Sequence, residues 1–412
     1  ELLGATFMVA TIKMIGDDTL AFSDLLNTEK ALQVIIAIFV SVAIAFVFGV
    51  VVQYITRVVF TFNYKKHSRY TIAIFGGIAF TALAYFIFMK GVGNSPYIPE
   101  DAQSWINGHI GTLLIYTFIG SAIVMQLMHL VGVNIFKFVV LMGTFALAMA
   151  FAGNDLVNFI GVPLAGLDSY QTYMAQSSGA APTSFLMTSL LESAKTPPFY
   201  LLLAGLVMIV AMATSKKAHR VIKTSVDLSR QDEGDEMFGS SAAARSIVRF
   251  TQNSNSYVSN IIPVRVQGWL DNRFNQRSVT LDHGAAFDVV RAAVNLVLAS
   301  LLITIGTNYK LPLSTTYVTF MVAMGSSLAD RAWSRESAVF RVTGVISVIG
   351  GWFITAGVAF VASALVSLLM YYGGIVIQAA FMGLVVYRLF RSNTGKSVGD
   401  TDKDNSFRLM MR

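Results

Sequence analysis

The chain has 412 residues, of which 55% are hydrophobic and 13% charged, with a net charge of +7 and no cysteine; its mean hydropathy is +0.62. Soluble domains carry about 25% charged residues, so the composition excludes an ordinary soluble fold and points to an all-α, polytopic bundle of membrane helices. Without cysteine there are no disulfides and no thiolate or cysteine-ligated metal chemistry, and the basic surplus lies in loops between apolar runs, where topology explains it better than nucleic acid does.

A spanning helix needs about 20 apolar residues. Candidate spans lie at 2–15, 31–55, 70–89, 110–133, 136–151, 198–214, 287–306, 313–328, 342–369 and 375–390. The first is short and opens at Glu1 with no signal-peptide pattern, so a start further upstream is expected. Several spans abut polar segments, as broken helices lining a cavity do. Segment 184–191 is too short to cross and fits a re-entrant hairpin.

The run at 136–151 leads straight into 151–161, which carries Asn154, Asp155 and Asn158 between Gly153 and Gly161. A charge at the centre of a span costs roughly 2.5–3.5 kcal/mol on insertion scales, so it persists mostly facing a bundle interior or a wet cavity. On a helix the three side chains share one side. Their oxygens suit a hard cation such as Na⁺, or a proton on Asp155. The competing interpretation is a carboxylate paired with a helix end.

The loop at 215–285 has an acidic, glycine- and serine-containing middle that resembles mobile linker. Its second half interleaves Ile247, Phe250, Ile261, Val264 and Trp269 with Arg245, Arg249, Arg265 and Arg273, a pattern expected of helices lying on the membrane surface. Asp288, Arg291 and Asn295 then open the next span on one helical face. For Arg291, snorkelling to the headgroups is the favoured expectation, ahead of substrate contact.

A second polar break follows at Lys310, Pro312, Ser314, Thr315 and Thr316. Proline suits the first helical position. The hydroxyls would then sit in a first turn whose unpaired N–H groups and dipole favour an anion, with Lys310 close in sequence. Serines and threonines that merely glue helices together are the bland alternative. The five histidines are scattered without metal-ligand spacing, and no enzyme signature is evident.

Most of the 30 Lys and Arg residues fall in 56–69, 134–137, 214–285, 329–341 and 386–412, which makes that side, with the long loop and tail, cytoplasmic. The expected division is membrane domain 1–214, cytoplasmic loop 215–285, membrane domain 286–390 and tail 391–412.

At 153–158 and 312–316 the chain resembles the inorganic phosphate transporter (PiT) family of cation-coupled symporters. That family carries a Gly-x-Asn-Asp-x-x-Asn element and a later Pro-x-Ser-Thr-Thr-like element in each of two inverted repeats. Ala152 stands in the family's usual glycine place, and Ala329, Asp330, Arg331, Ala332 and Trp333 look like its bacterial branch. The pair present here resembles the second, so the chain is expected to begin part-way through repeat one. The resemblance implies a broken-helix, inverted-repeat symporter in a bacterial inner membrane that imports inorganic phosphate with Na⁺ or H⁺. It has no other cofactor and catalyses no reaction. Ser314, Thr315 and Thr316 would hold phosphate; Asn154, Asp155 and Asn158 would hold the cation; Arg291, Asn295 and Lys310 would support them. Lipid and a second copy of the chain are expected neighbours, and the same branch often continues into a PhoU-like regulatory domain. Two rivals stand beside this: a carrier of sulfate or another oxyanion on the same fold, and a membrane scaffold or sensor binding a soluble partner.

Overall fold

A computed structural model describes residues 1–17, 19–64, 70–86, 99–177, 197–214, 228–230, 240–246, 248–249, 263–275, 287–309, 313–332 and 337–392, with 179, 181, 185, 187, 188, 223, 226 and 311. Lys310, Pro312, Trp333, most of the tail, most of the long loop and most of 184–191 lie outside these. Among the described residues the elements are helical: α1 (Leu2–Gly16), α2 (Phe22–Leu25), α3 (Thr28–Phe60), α4 (Thr71–Ala84), α5 (Glu100–Gly108), α6 (Ile110–Leu130), α7 (Ile135–Gln176), α8 (Pro198–Thr214), α9 (Val264–Arg273), α10 (Val289–Asn308), α11 (Thr315–Ala329) and α12 (Ser337–Ser392). Five are long and apolar enough to cross a bilayer. Phe39, Phe48, Ile119, Val124 and Leu365, with many other large apolar side chains, are exposed on them. Exposed apolar surface on that scale is stable only against lipid. The chain is an integral membrane protein.

The residues form two compact units. The smaller holds 1–36, 236–248 and 339–412. Within it the absent side chain of Gly4 lets α1 lie against the backbone of Phe360 and the hydroxyl of Ser363 on α12, and Phe7 stacks on Phe22 with ring centres 5.3 Å apart. Although α12 runs for 56 residues, Gly374 interrupts it at φ 55° and ψ −151°, between the expected spans at 342–369 and 375–390.

The larger unit holds 37–235 and 249–338. Its core joins the end of α3 to α4, α6, α7 and α10 through Phe60, Ile72, Met125, Phe136, Val139, Val290 and Ala293. Edge-on aromatic pairs of Phe60 and Tyr64 with Phe136 lock this end. Small residues set the close approaches, as in membrane bundles generally. Gly76 and Gly77 of α4 face Met125 and Ala122 of α6, Gly143 of α7 faces Leu296 of α10, and Gly49 of α3 meets Val322 of α11.

The first polar stretch departs from expectation. No interruption occurs at 151–161, because α7 runs unbroken through it for 42 residues, with Pro163 inside. Interior proline usually breaks or kinks a helix by removing one bond to the preceding turn, but here the helix continues. The second stretch is interrupted: α10 ends at Asn308 and α11 begins at Thr315.

Candidate functional site

The two polar stretches, 160 residues apart, meet. The Thr315 hydroxyl donates to both carboxylate oxygens of Asp155 at 3.0 Å. The Asn154 carboxamide donates to the Thr307 hydroxyl at 3.2 Å, and that of Asn158 donates to the Asn154 oxygen at 3.3 Å. The helical step of α7 thus turns Asn154 and Asp155 toward the α10–α11 break. Asn154 and Thr315 are buried, Asp155 and Ser314 are partly buried, and Asn158 and Thr316 are exposed. Ser314 caps α11 by backbone conformation only, since its hydroxyl makes no cap bond. At the last turn of α10, Asn308 Nδ2 is a buried donor without an acceptor among the described residues. The cluster therefore offers carboxylate and carboxamide oxygens on one side and hydroxyl and amide donors on the other.

Arg291 and Asn295 are elsewhere. Arg291 is 0% exposed, so the expected snorkelling to the headgroups is corrected. It is held in a charge centre that sequence spacing did not reveal. Arg57, also 0% exposed, donates through Nη1 and Nη2 to Asp288 at 2.7 and 2.9 Å. Through Nε and Nη2 it donates to Asp330 at 2.9 and 2.6 Å. Gln53 Nε2 donates to Asp330 at 2.8 Å. Arg291 lies 3.8 Å from Asp330 and donates to the Ser229 carbonyl at 2.8 Å. Phe62 and Phe287 cover the two guanidinium groups, a cation–π arrangement that strengthens when dehydrated.

Helix ends build this centre. Asp288 is the N-cap of α10 and accepts the Arg291 backbone N–H at 3.1 Å, the usual use of aspartate there. Asp330 is the C-cap of α11, and Arg57 lies in the last turn of α3. Within the larger unit the centre therefore sits at the opposite end of the α10–α11 pair from Asp155. The signal available in the sequence was faint: two lone aspartates at span ends on a side otherwise rich in Lys and Arg.

Neither protein-family models, nor curated proteins, nor solved structures matched this chain.

Proposed function

We propose that the protein is a cation-coupled symporter, taking up inorganic phosphate together with Na⁺ or H⁺. The observation that carries this is the contact of Thr315 with Asp155. It sets an anion-accepting helix start and a cation-accepting carboxylate within one hydrogen bond of each other. Thr316 and Ser314, with the first-turn N–H groups of α11, supply donors for an oxyanion, and the Thr315 hydroxyl, which now donates to Asp155, can turn to it once a cation or proton occupies that carboxylate. Asp155, Asn154 and Asn158 supply oxygen ligands for the cation.

The closeness gives a physical reason for coupling. An oxyanion beside Thr315 stands next to the Asp155 carboxylate, and two negative charges at such a distance repel strongly in a partly dehydrated site. A cation or proton on Asp155 removes that repulsion, so each solute favours binding of the other. This mutual dependence is a coupling free energy. The broken-helix element at 309–314 and an inverted-repeat architecture belong to this proposal.

The test is uptake of labelled phosphate by the protein in vesicles, with and without a Na⁺ or proton gradient. Uptake driven by one of the gradients in the wild type, with that gradient dependence lost in Asp155→Asn, is the expected result. Uptake indifferent to both gradients would overturn the proposal.

A further inference from the structure

We infer that the buried Arg57 centre is the closed inner gate of the pathway, a lock that must release before the Asp155–Thr315 end can communicate with the Lys/Arg-rich side. This inference rests on the transport proposal above.

Position is the first argument. The α10 helix has 20 residues, which at 1.5 Å per residue separates its ends by about 30 Å. Asp155 and Thr315 lie at one end, and Arg57, Asp288, Asp330 and Arg291 at the other. Arg57 ties the last turn of α3 to the first residue before α10 and the first after α11. Three helix ends are closed by one side chain.

Chemistry is the second. A permanent clamp gains little from buried charge, since well-packed apolar residues hold helices together as well or better. An ion-pair lock differs in being reversible by water, because entering solvent rehydrates both partners. Two buried acceptors fit such a second state. Gln53 Oε1 and Asn295 Oδ1 have no hydrogen-bond partner among the described residues. Each lies one helical turn from an arginine of the centre, Gln53 from Arg57 and Asn295 from Arg291. Unpaired buried acceptors are costly, and water admitted on opening would supply their donors.

Backbone strain is the third. Thr61 and Arg331, both at φ 55°, are the non-glycine residues with positive φ among those described. Each follows a helix that the centre closes: Thr61 after α3, Arg331 after α11. Thr61 is β-branched, for which this region is a genuine outlier, and its carbonyl accepts from Arg57 Nη1 at 3.0 Å. Strain of this kind collects at switch regions, where surrounding contacts hold it in place.

The chain has no cysteine, so Ser326→Cys can serve as a single reporter. Ser326 is fully buried on α11, one turn before Asp330. An impermeant thiol reagent would be applied to each face of membrane vesicles, without any transported solute. Adding Asp330→Asn should speed labelling from the Lys/Arg-rich face by about tenfold, equivalent to ~1.4 kcal/mol lost from the closed state. Arg57→Lys, which keeps the charge but loses the planar fork, should give a smaller rise. Unchanged labelling in both variants would overturn the gate. So would a rise seen only alongside loss of the cooperative melting transition, the mark of a structural clamp. Faster labelling in a protein that fails to take up phosphate would sink the phosphate proposal and leave the gate standing.

Discussion

Asp155 holds one position and two duties: it accepts the Thr315 hydroxyl and is the one carboxylate of the polar cluster at this end of α10. Asparagine keeps the shape and loses the charge, so Asp155→Asn should retain the helix while phosphate uptake loses its dependence on the cation gradient, as measured by tracer flux at varied Na⁺ and pH. Thr315→Val removes only a hydroxyl. Hydrogen bonds to charged groups contribute about 1.5–3 kcal/mol, so phosphate affinity should fall by roughly tenfold or more, read by calorimetry, with the far-ultraviolet spectrum unchanged. Wild-type affinity in that variant would return Thr315 to a packing role. The residues of this cluster were legible in the sequence because polar atoms are expensive in a span and stand out there. Asn158 and Thr316 fit less closely, being exposed at the edge of the cluster. Arg57 was not legible as a site residue: its partners lie 231 and 273 residues away, and a lone arginine at a span end carries the same signal as any loop cation.

Helix positions were legible because hydropathy reports length, and the limits of five of the ten expected spans agree with α1, α6, α8, α10 and α11 to within three residues. Helix continuity was harder to read. Gly153, Asn154, Asp155 and Pro163 are each poor interior helix residues, yet α7 passes through all four, so local propensity does not decide its continuity. Glycines can be sorted by what a side chain would meet. A methyl group on Gly325 would strike the Phe46 carbonyl oxygen, and one on Gly49 would lie 2.7 Å from that of Val322. Overpacking of this sort costs about 1–3 kcal/mol, so Gly325→Ala should lower the melting temperature in detergent. Gly153 meets nothing within 4 Å, and alanine there gains helix propensity of about 1 kcal/mol. Gly153→Ala should therefore hold or raise the melting temperature. If it also abolishes uptake, the solute needs the bare backbone beside Asn154; an unchanged melting temperature in Gly325→Ala would mean that α3 and α11 are not in the close contact described.

For the whole molecule the organising fact lies in the larger unit, where α10 and α11 run between a polar end at Asp155 and Thr315 and a buried, charged end at Arg57. A protein built this way should register its solute globally, since any ligand that binds only the folded state stabilises it by an amount set by its concentration relative to Kd. At about one hundred times Kd the gain is about 2.7 kcal/mol, large enough to appear as a clear rise in melting temperature. The coupling proposed for Asp155 would make that rise conditional. Phosphate with the driving cation should stabilise strongly and phosphate alone weakly, and Asp155→Asn should flatten the difference between the two. Sulfate separates the remaining rivals, because it offers the same tetrahedron of oxygens but carries no proton to donate near neutral pH. Equal shifts with sulfate and phosphate would make the protein a general oxyanion carrier. Absence of any shift with either anion, in a preparation that melts cooperatively, would favour a scaffold whose polar cluster merely joins α7 to α11.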